Sequence, residues 1–330
     1  MTAWLRSSVT GMPMRSDPRR SDARAALSVV VVNYNSVDLL RRNLVAVADA
    51  IPEASIVIVD NFSSAAEAAS VARLSVDRGW SFVLRPDNGG FGAGVNAGVA
   101  RARDLGRSRF LLLNPDATID GASVDRLLAA VDAQPLIVAA PRVVTTTGEI
   151  WFSGVDLVLS DGTMRASAMR ADFPDALVEP WLTGASLMVT ETVWQRVGEF
   201  DEDYFLYWED VDYSFRVARA GGTLAIVDEA IAVHDEGGTQ SPTHGRAKSD
   251  GYYYYNIRNR LLFAAKHLPP AMVRRWQRTS VAAAREVLLR GGRRQFLHSL
   301  RPLWTAGRAL RAGRRFTREA LSRPTETSIS

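Results

Sequence analysis

A regular alternation of short apolar strands and helices runs from residue 27 to residue 140 and leaves few architectures open. The first strand is predicted at 27–32, where four valines follow Leu27 and Ser28. A β-branched run of this kind is typical of a strand buried on both faces. Alternation of strands and helices predicts an α/β fold with a mostly parallel sheet. The other strands are predicted at 55–59, 81–84, 109–113 and 136–140, and the helices at 36–50 (capped by Ser36), 63–77, up to about 104, and 121–133.

The alternation ends at Pro141. Short strand-like runs follow at 142–145, 150–158 and 182–189, then a helix at 208–220 and strands at 224–227 and 230–234. Helical sequence resumes at Tyr252. We therefore expect a disordered segment over 1–26, one α/β domain over 27–250, a helical extension over 251–322 and a disordered tail over 323–330.

Composition excludes several classes of protein. Hydrophobic residues make up 47% of the chain and charged residues 23%, which excludes a disordered or fibrous chain. With no cysteine, there is no disulfide, no cysteine-bound zinc and no thiol nucleophile. No apolar run approaches the ~18 residues of a membrane span. The N-terminus lacks the pattern of a signal peptide, so we expect a cytoplasmic protein.

The charge is unevenly distributed. The formal net charge is +4, but residues 251–330 carry +14 and residues 27–250 carry −13. An acidic body with a basic tail indicates contact with nucleic acid or with a membrane surface, or a tail that binds another partner.

Four predicted strands end in polar or glycine-rich loops. The carboxyl ends of parallel strands form one edge, where ligands of α/β proteins bind. A single polar loop would be ordinary, but four together favour a site of nucleotide size. The loop residues are Asn33, Tyr34 and Asn35; Asp60 and Asn61; Asn88, Gly89 and Asn96 within 87–98; and Asn114 and Asp116.

The glycine loop admits a competing interpretation. Residues 92–97 fit the G-x-G-x-x-G/A dinucleotide fingerprint, and Asp116 lies about where its ribose-binding acid would be. An NAD(P)-dependent oxidoreductase is therefore an alternative. However, the motif follows the third strand, whereas the fingerprint normally follows the first. We expect the glycines to let a helix approach the sheet closely.

Asp116 and His234 are candidate metal ligands. A carboxylate just beyond a buried strand can bind Mg²⁺ or Mn²⁺, and the metal can bridge a diphosphate. His234 ends an apolar strand at the same predicted edge. The alternatives are a helix cap or Asx turn for Asp116 and a hydrogen-bonded surface residue for His234.

The acidic run around residue 210 combines helix construction with an unexplained pair of carboxylates. Asp212 and Arg216 have the i, i+4 spacing of a helical ion pair. Glu209 and Asp210 directly follow the aromatic run 205–208. Desolvation by aromatic neighbours raises the pKa of a carboxylate and makes it a better general base. An exposed helix cap is the alternative for Asp210.

Taken together, six motifs in order resemble family 2 of the inverting glycosyltransferases, most closely the rhamnosyltransferase-like branch. The resemblance spans about residues 27–267. The motifs are Val29–Ser36, Val59–Asn61, Asn88–Asn96, Leu112–Asp116, Gly184–Ser186 and Trp208–Asp212.

The resemblance implies a GT-A fold and transfer of a sugar from a nucleotide-diphosphate donor. It implies that Asp60 binds the nucleobase, with Asn33, Tyr34, Asn35, Asn88, Gly89, Asn96 and Asn114 lining the donor. It implies that Asp116 and His234 hold a divalent cation, Mg²⁺ or Mn²⁺. Asn114 stands where the family usually has a first Asp, which lowers the negative charge of the metal site. The branch points to rhamnose from dTDP-rhamnose as the donor.

The same resemblance implies an inverting displacement with Asp210 as catalytic base and Glu209 positioning it. We expect the acceptor side to include Gly184, Ala185, Ser186, Tyr207 and Trp208, because sugars stack on aromatic faces. The expected acceptor is a glycan or a polyprenyl-diphosphate-linked sugar of cell-envelope polysaccharide synthesis. A non-catalytic nucleotide-sugar binder is a further alternative.

The basic tail bears on the acceptor. Trp276 and Trp304 lie in amphipathic helices rich in arginine, a pattern typical of elements that bind a membrane surface. We therefore expect an enzyme peripheral to the inner face of the cell membrane. The alternative is a set of helices packed on the acidic body with solvated charges. Nucleic-acid binding is not expected, because no recognised module accompanies the charge.

Overall fold

The computed structural model describes residues 5–6, 18–235 and 248–322, and its centre is a large mixed sheet. The sheet order is β1-β13-β7-β12-β5-β2-β3-β4, with β6 paired to β13 and β8 paired to β7. The strands are β1 Leu5–Arg6, β2 Leu27–Asn33, β3 Ser55–Asp60, β4 Ser81–Leu84, β5 Arg109–Leu113, β6 Ala117–Ile119, β7 Ile137–Thr145, β8 Ile150–Phe152, β12 Ser186–Thr190 and β13 Thr223–His234.

The predicted strand and helix alternation is confirmed. Strands β5, β2, β3 and β4 are parallel neighbours, and β13 is parallel to β7. Strand β12 lies antiparallel between these two parallel groups. The helices of this half are α1 Pro18–Ala25, α2 Val37–Leu39, a π-helical turn Leu40–Leu44, α3 Val45–Ala50, α4 Ala65–Arg78, α5 Phe91–Asp104 and α6 Gly121–Ala133.

The second half adds a small sheet and the helix that carries Asp210. The small sheet, in the order β10-β9-β11, consists of β9 Val155–Val158, β10 Met164–Ala166 and β11 Val178–Trp181. Two strands predicted at 224–227 and 230–234 are one strand, β13, interrupted by a register shift between Val227 and Ile231. The helices here are the 3-10 turns Ser167–Asp172 and Glu202–Tyr204, with α7 Glu191–Val197 and α8 Glu209–Arg219.

The glycines of α5 allow close contact between this helix and the sheet, as predicted. A Cβ at Gly94 would lie 2.6 Å from Val32 Cγ1, and a Cβ at Gly98 would lie 3.0 Å from Val59 Cγ2. Gly94 and Gly98 therefore bring α5 against β2 and β3. Because the glycines lie inside the helix, the fingerprint does not form the phosphate-binding turn that precedes a dinucleotide-binding helix.

The C-terminal helices share a core with the α/β body. Phe263 and Trp276 are buried in one cluster with Trp208 and Phe215 of the body. Packing therefore crosses the predicted boundary at residue 250. In the described part of the chain, no helix is both long and apolar enough to span a membrane. These helices are α9 Asp250–His267, α10 Pro270–Arg278, α11 Ser280–Leu289, α12 Gln295–His298 and α13 Arg301–Ser322.

Two local predictions differ from the structure. Residues 18–25, inside the segment predicted to be disordered, form α1, and Arg24 Nε donates to Asp125 Oδ1 at 2.7 Å. Ser36 does not cap α2, because its hydroxyl donates to Tyr34 O. A distant carboxylate replaces it: Val37 N donates to Glu67 Oε1 at 2.6 Å. The predicted disordered tail, 323–330, lies outside the described residues.

Candidate active site

The ends of β2 and β3 form the first part of the site. Asn33 and Asp60 are register partners on these parallel strands. The Asn33 amide donates to Asp60 Oδ2 at 2.9 Å, and the Ser63 backbone N–H donates to Asp60 Oδ1 at 2.8 Å. Both side chains are fully buried. Asp60 is therefore held in one orientation at the edge where the sequence predicts nucleobase binding.

Exposed aromatic and amide groups lie beside this buried pair. Tyr34 and Phe62 are exposed, at 53% and 56% of their surface, and both belong to the loops that follow Asn33 and Asp60. Asn35 has a left-handed backbone with φ 52°, and its N–H donates to Ser63 Oγ at 2.9 Å. Phe62 also has positive φ, 64°, and sequence reasoning did not select it.

The glycine-rich loop is tied to the same edge by Asn61. Its amide donates to Asn88 Oδ1 at 3.0 Å and to Gly90 O at 2.9 Å. Asn88 Oδ1 also accepts the Gly90 N–H at 3.0 Å. Gly89 has little room for a side chain, because a Cβ there would lie 2.8 Å from the Ala93 Cβ. The predicted residues Asn88 and Gly89 are thus placed next to Asp60 and Asn33.

The side chain of Asn96, which the family resemblance predicts to line the sugar donor, binds another segment of the chain. Its amide donates to Phe200 O at 2.9 Å and to Glu202 Oε1 at 3.1 Å, and its Oδ1 accepts the Phe200 N–H at 2.9 Å. The side chain is buried on α5. With donor and acceptor both occupied by the 200–202 segment, Asn96 anchors that segment to the sheet.

Asp116 and His234 meet because β6 pairs antiparallel with β13. Ala117 is the register partner of His234, and the Asp235 N–H donates to Asp116 O at 2.9 Å. His234 Nε2 lies 3.2 Å from Asp116 Oδ1, and both side chains are buried. The structure therefore brings the two predicted metal ligands together. Asn114 is adjacent, with its N–H donating to Ala185 O at 2.9 Å.

The Asp116 carboxylate and the His234 imidazole are suitable ligands for a divalent cation that also binds substrate. Carboxylate and imidazole are both ligand types for Mn²⁺, and Mg²⁺ commonly uses one or two carboxylates together with substrate phosphates. No third acidic, histidine or cysteine side chain joins them among the described residues. Further ligands would then come from a diphosphate and water. Trp151, which sequence reasoning missed, stacks on His234 with ring centroids 4.5 Å apart.

Asp210 lies at the first turn of α8 and contacts a second predicted motif. The Gly184 N–H donates to Asp210 Oδ2 at 3.2 Å, and the Val211 N–H donates to Oδ1 at 2.9 Å. Gly184 is followed directly by Ala185, whose carbonyl oxygen accepts the Asn114 N–H, so Asp210 is linked through these two residues to the loop that carries Asp116. Asp210 remains partly exposed, whereas Glu209 is buried.

Burial sets the protonation of this pair. Desolvation raises the pKa of Asp210 to about 6, although the N–H groups of Gly184 and Val211 partly offset it. Desolvation and the neighbouring Asp210 charge raise the pKa of Glu209 well above its usual value. With a pKa of about 6, Asp210 is largely ionised near neutral pH and can accept a proton.

The turn before α8 has a strained backbone held from two sides. Phe205, Tyr207 and Trp208 have positive φ of 62°, 64° and 75°. Such conformations persist only where neighbouring structure fixes them. From one side, the glycine-rich loop holds the turn: the Phe91 N–H donates to Phe205 O at 2.7 Å, and a Cβ at Gly90 would overlap the Phe205 backbone.

Asn259 of α9 holds this turn from the other side. Its buried amide donates to the carbonyls of Tyr204, Leu206 and Tyr207 at 2.8, 2.9 and 2.7 Å. Sequence reasoning missed Asn259, because nothing local marks a residue that binds a loop about 50 positions earlier.

The predicted pair of Asp212 and Arg216 is confirmed and includes a third residue. Arg216 Nε donates to Asp212 Oδ2 at 2.7 Å, and His267 Nε2 lies 2.6 Å from Asp212 Oδ1. Burial alone would raise the pKa of Asp212, but His267 and Arg216 lower it below its usual value. Asp212 therefore stays charged and anchors α8. The contact between Asp212 and His267 was not predicted from the sequence.

The predicted acceptor side is corrected at Trp208. The Trp208 ring is 5% exposed and packs against Phe263 and Trp276, because the strained turn directs it into the core. Tyr207 is partly exposed and packs edge-on against Tyr252 at 5.4 Å. Gly184 faces Asp210, whereas Ala185 and Ser186 are buried at the start of β12.

Comparison with known families agrees with this arrangement. The model described as Glycosyl transferase family 2 matches residues 28–178, and the model described as Glycosyl transferase family group 2 matches residues 110–317. The chain belongs to glycosyltransferase family 2. It is a glycosyltransferase that is similar to rhamnosyltransferases. The second family match crosses residue 250 into the C-terminal helices.

This family 2 chain is similar to two named sugar transferases. It is 24% identical to the low-salt glycan biosynthesis hexosyltransferase Agl10 of Haloferax volcanii, over 72% of this chain and 74% of that one. It is 29% identical to the N-acetylglucosaminyl-diphospho-decaprenol L-rhamnosyltransferase of Mycobacterium tuberculosis, over 63% of this chain and 75% of that one.

Solved structures show the GT-A fold. GalNAc-T7 with UDP, GalNAc and Mn²⁺ has a TM-score of 0.53 and 17% identity, over 73% of this chain and 50% of that one. The mannosyltransferase PcManGT of Pyrobaculum calidifontis, with GDP-Man and Mn²⁺, has a TM-score of 0.52 and 14% identity, over 88% of this chain and 86% of that one. The expected GT-A fold is confirmed.

Proposed function

We propose that this glycosyltransferase transfers a sugar, with inversion, from a nucleotide diphosphate to a hydroxyl group of a glycan or a polyprenyl-diphosphate-linked sugar. One observation carries the proposal: Asp210, with its raised pKa, contacts Gly184 next to the loop of Asn114 and Asp116. A proton acceptor and a diphosphate-binding pair thus share one edge of the sheet.

The donor is proposed to lie along the ends of β2, β3 and β5. The nucleobase is proposed to lie over the buried pair of Asp60 and Asn33, and Asn88 and Gly89 line the loop beside this pair. The name of the L-rhamnosyltransferase of Mycobacterium tuberculosis supports rhamnose as the sugar and a polyprenyl-diphosphate-linked sugar as the acceptor. We propose dTDP as the carrier of the sugar and cell-envelope polysaccharide synthesis as the process.

The mechanism is a single displacement in which the chain supplies the base. The acceptor hydroxyl oxygen bonds to the anomeric carbon as the bond to the diphosphate breaks, and Asp210 takes the hydroxyl proton. Gly184 and Val211 orient the two oxygens of that carboxylate. Glu209 and the strained turn fix the start of α8. A divalent cation held by Asp116 and His234 would neutralise charge on the leaving nucleoside diphosphate.

A screen of nucleotide sugars for metal-dependent binding tests the donor assignment. We expect the chain to bind one nucleotide diphosphate sugar in calorimetry with Mn²⁺ or Mg²⁺, and to bind it at least tenfold more weakly after chelation. Asp116→Asn should cause a similar loss, because it removes a ligand charge. Asp175→Asn, at an exposed loop, is the matched control. Equal donor affinity with and without metal would contradict the cation assignment.

The pH dependence follows from the raised pKa of Asp210. The base must be ionised, so kcat/KM should be level above about pH 6 and fall roughly tenfold per pH unit below it. A carboxylate of ordinary pKa would keep its activity down to about pH 4. A rate profile between pH 4.5 and 8, with circular dichroism to confirm folding, separates the two cases.

Two alternatives give different results in the same assays. An NAD(P)-dependent oxidoreductase is disfavoured because the fingerprint glycines lie within α5. Binding of nicotinamide dinucleotide without metal would favour it. A non-catalytic nucleotide-sugar binder would bind the donor but show neither transfer nor slow hydrolysis.

The organisation and location of the chain are part of the proposal. We propose a GT-A domain over 27–250 and a helical extension over 251–322 that brings the enzyme to the cytoplasmic face of the cell membrane. The +14 charge of residues 251–330 supports this location, because anionic lipids attract clustered arginines.

A further inference from the structure

An exposed apolar patch lies where α12 meets α13. The Leu–Trp patch consists of Leu297, Leu300, Leu303 and Trp304, which are 81%, 70%, 48% and 64% exposed. Leu300, Leu303 and Trp304 follow each other within one helical turn, so their side chains are neighbours. Grouped apolar side chains on a surface mark an interaction site, whereas scattered ones need no explanation.

Arginines flank this patch in the sequence. Arg293 and Arg294 precede it, and Arg308 and Arg311 follow it on α13; all four are exposed. The Arg308 guanidinium lies 4.7 Å from the centre of the Trp304 ring. No Asp or Glu occurs between Glu286 and Glu319 in the sequence. In space, Asp250 of α9 lies beside the patch and pairs with Arg301 at 2.5 Å. The surface therefore combines protruding apolar side chains with a net positive charge from the four other arginines.

Contacts at the start of α9 connect this surface to the turn before Asp210. Tyr255 stacks on Phe205 at 4.8 Å, and Tyr252 packs against Tyr207 at 5.4 Å. In the opposite direction, the Tyr253 hydroxyl donates to Gln295 Oε1 at 2.6 Å.

The patch itself is held to the same end of α9. The Arg308 guanidinium lies 5.6 Å from the Tyr254 ring, and Thr305 Oγ1 donates to Asp250 Oδ1 at 3.4 Å. The four tyrosines 252–255 therefore lie between the Leu–Trp patch and the turn 205–208 that precedes Asp210.

We infer that the Leu–Trp patch docks on an anionic phospholipid surface, with its leucines and Trp304 entering the headgroup region and the arginines contacting lipid phosphates. A phospholipid surface offers an apolar region to the leucines and Trp304, and phosphate groups to the arginines. A nucleic acid would use the arginines and leave the leucines in water. A second copy of the patch would place arginines against arginines.

The docking has a consequence for the acceptor, and this part rests on the proposed function. A membrane-bound polyprenyl diphosphate keeps its sugar near the headgroups. With the patch on the bilayer, the short connection through 252–255 keeps the Phe205–Trp208 turn close to that surface. The structure thus assigns the α12–α13 junction as the element that presents Asp210 to a lipid-linked hydroxyl.

The test is co-sedimentation of the full chain with vesicles at low salt. Vesicles of phosphatidylglycerol and phosphatidylethanolamine should bind the chain, and phosphatidylcholine vesicles should bind it at least tenfold more weakly. The double variant Leu300→Ser with Trp304→Ser should lose at least tenfold in affinity. Val281→Ser, at a residue that is 57% exposed on α11, is the matched control and should bind like the parent chain.

A separate variant tests the charges. Replacing Arg308 and Arg311 by Gln should weaken binding to the anionic vesicles by roughly fivefold per arginine, with little effect on the phosphatidylcholine vesicles. Salt at 0.5 M should reduce the difference between the two vesicle types, because it screens the attraction.

Several results would overturn the inference. They are retention of the chain in the supernatant at low salt, equal binding by the patch double variant, and a concentration-dependent dimer that the double variant abolishes. Donor binding, measured by calorimetry without lipid, should be the same in the double variant and the parent. Vesicle binding without any donor binding would remove the proposed function and leave the docking surface intact; the reverse result would remove only the docking surface.

Discussion

Asp210→Asn is expected to lower transfer by about 100- to 10,000-fold while donor affinity stays within a factor of about three. The amide keeps the size of the carboxylate, but its single oxygen can accept only one of the Gly184 and Val211 N–H groups, so circular dichroism of the variant should check that the start of α8 stays folded. It cannot take the proton of the acceptor hydroxyl. Transfer is measured with a radiolabelled donor, and affinity by calorimetry in the presence of Mn²⁺.

The Asp210 variant is informative only beside a matched carboxylate elsewhere. Asp175→Asn removes one negative charge at an exposed loop and should leave kcat and KM unchanged. The acid limb of the rate profile should also disappear in Asp210→Asn, because the group that titrates near pH 6 is gone. Near-normal transfer by this variant would remove Asp210 from the role of base.

Trp276→Ala is expected to lower the free energy of unfolding by about 3–5 kcal/mol. The Trp276 ring is fully buried beside Trp208 and Phe263, and its Nε1 donates to Leu159 O at 2.8 Å. The substitution leaves a cavity and an unpaired buried carbonyl at the contact between α10 and the body. Urea unfolding followed by far-UV circular dichroism measures the change.

Trp304→Ala is the control for this stability prediction. Its ring is 64% exposed, so the free energy of unfolding should change by no more than about 0.5 kcal/mol. The sequence predicts both tryptophans to lie in membrane-binding amphipathic helices, but the Trp276 ring is buried and the Trp304 ring is exposed. Similar losses of stability in both variants would contradict the assignment of Trp276 to the core and Trp304 to the surface.

The periodic parts of the chain were predictable because they depend on local pattern. Strands β4 and β5 and helix α6 have the predicted bounds, since an apolar run between turn residues specifies its own ends. The close approach of α5 to the sheet was also predictable, because glycines at 94 and 98 remove side chains from one face.

The surroundings of a side chain could not be predicted from the sequence. Trp208 and Trp276 lie in aromatic or basic stretches that resemble a sugar platform and a membrane helix, yet both rings are buried. The sequence shows that a ring is present and not what covers it. Asn96 was predicted to contact the donor because it lies in the glycine-rich motif, but its amide binds the 200–202 segment.

By itself, the sequence determined the α/β architecture and the polar residue types that follow the strands, because strand period and the residues at strand ends are local features. Only the tertiary structure decided how distant residues meet. The antiparallel pairing of β6 with β13 places His234 beside Asp116, and the fold brings Asn259 under the turn before Asp210. The division of the basic tail into a buried part around Trp276 and an exposed part around Trp304 was decided in the same way, because burial depends on which surfaces pack together.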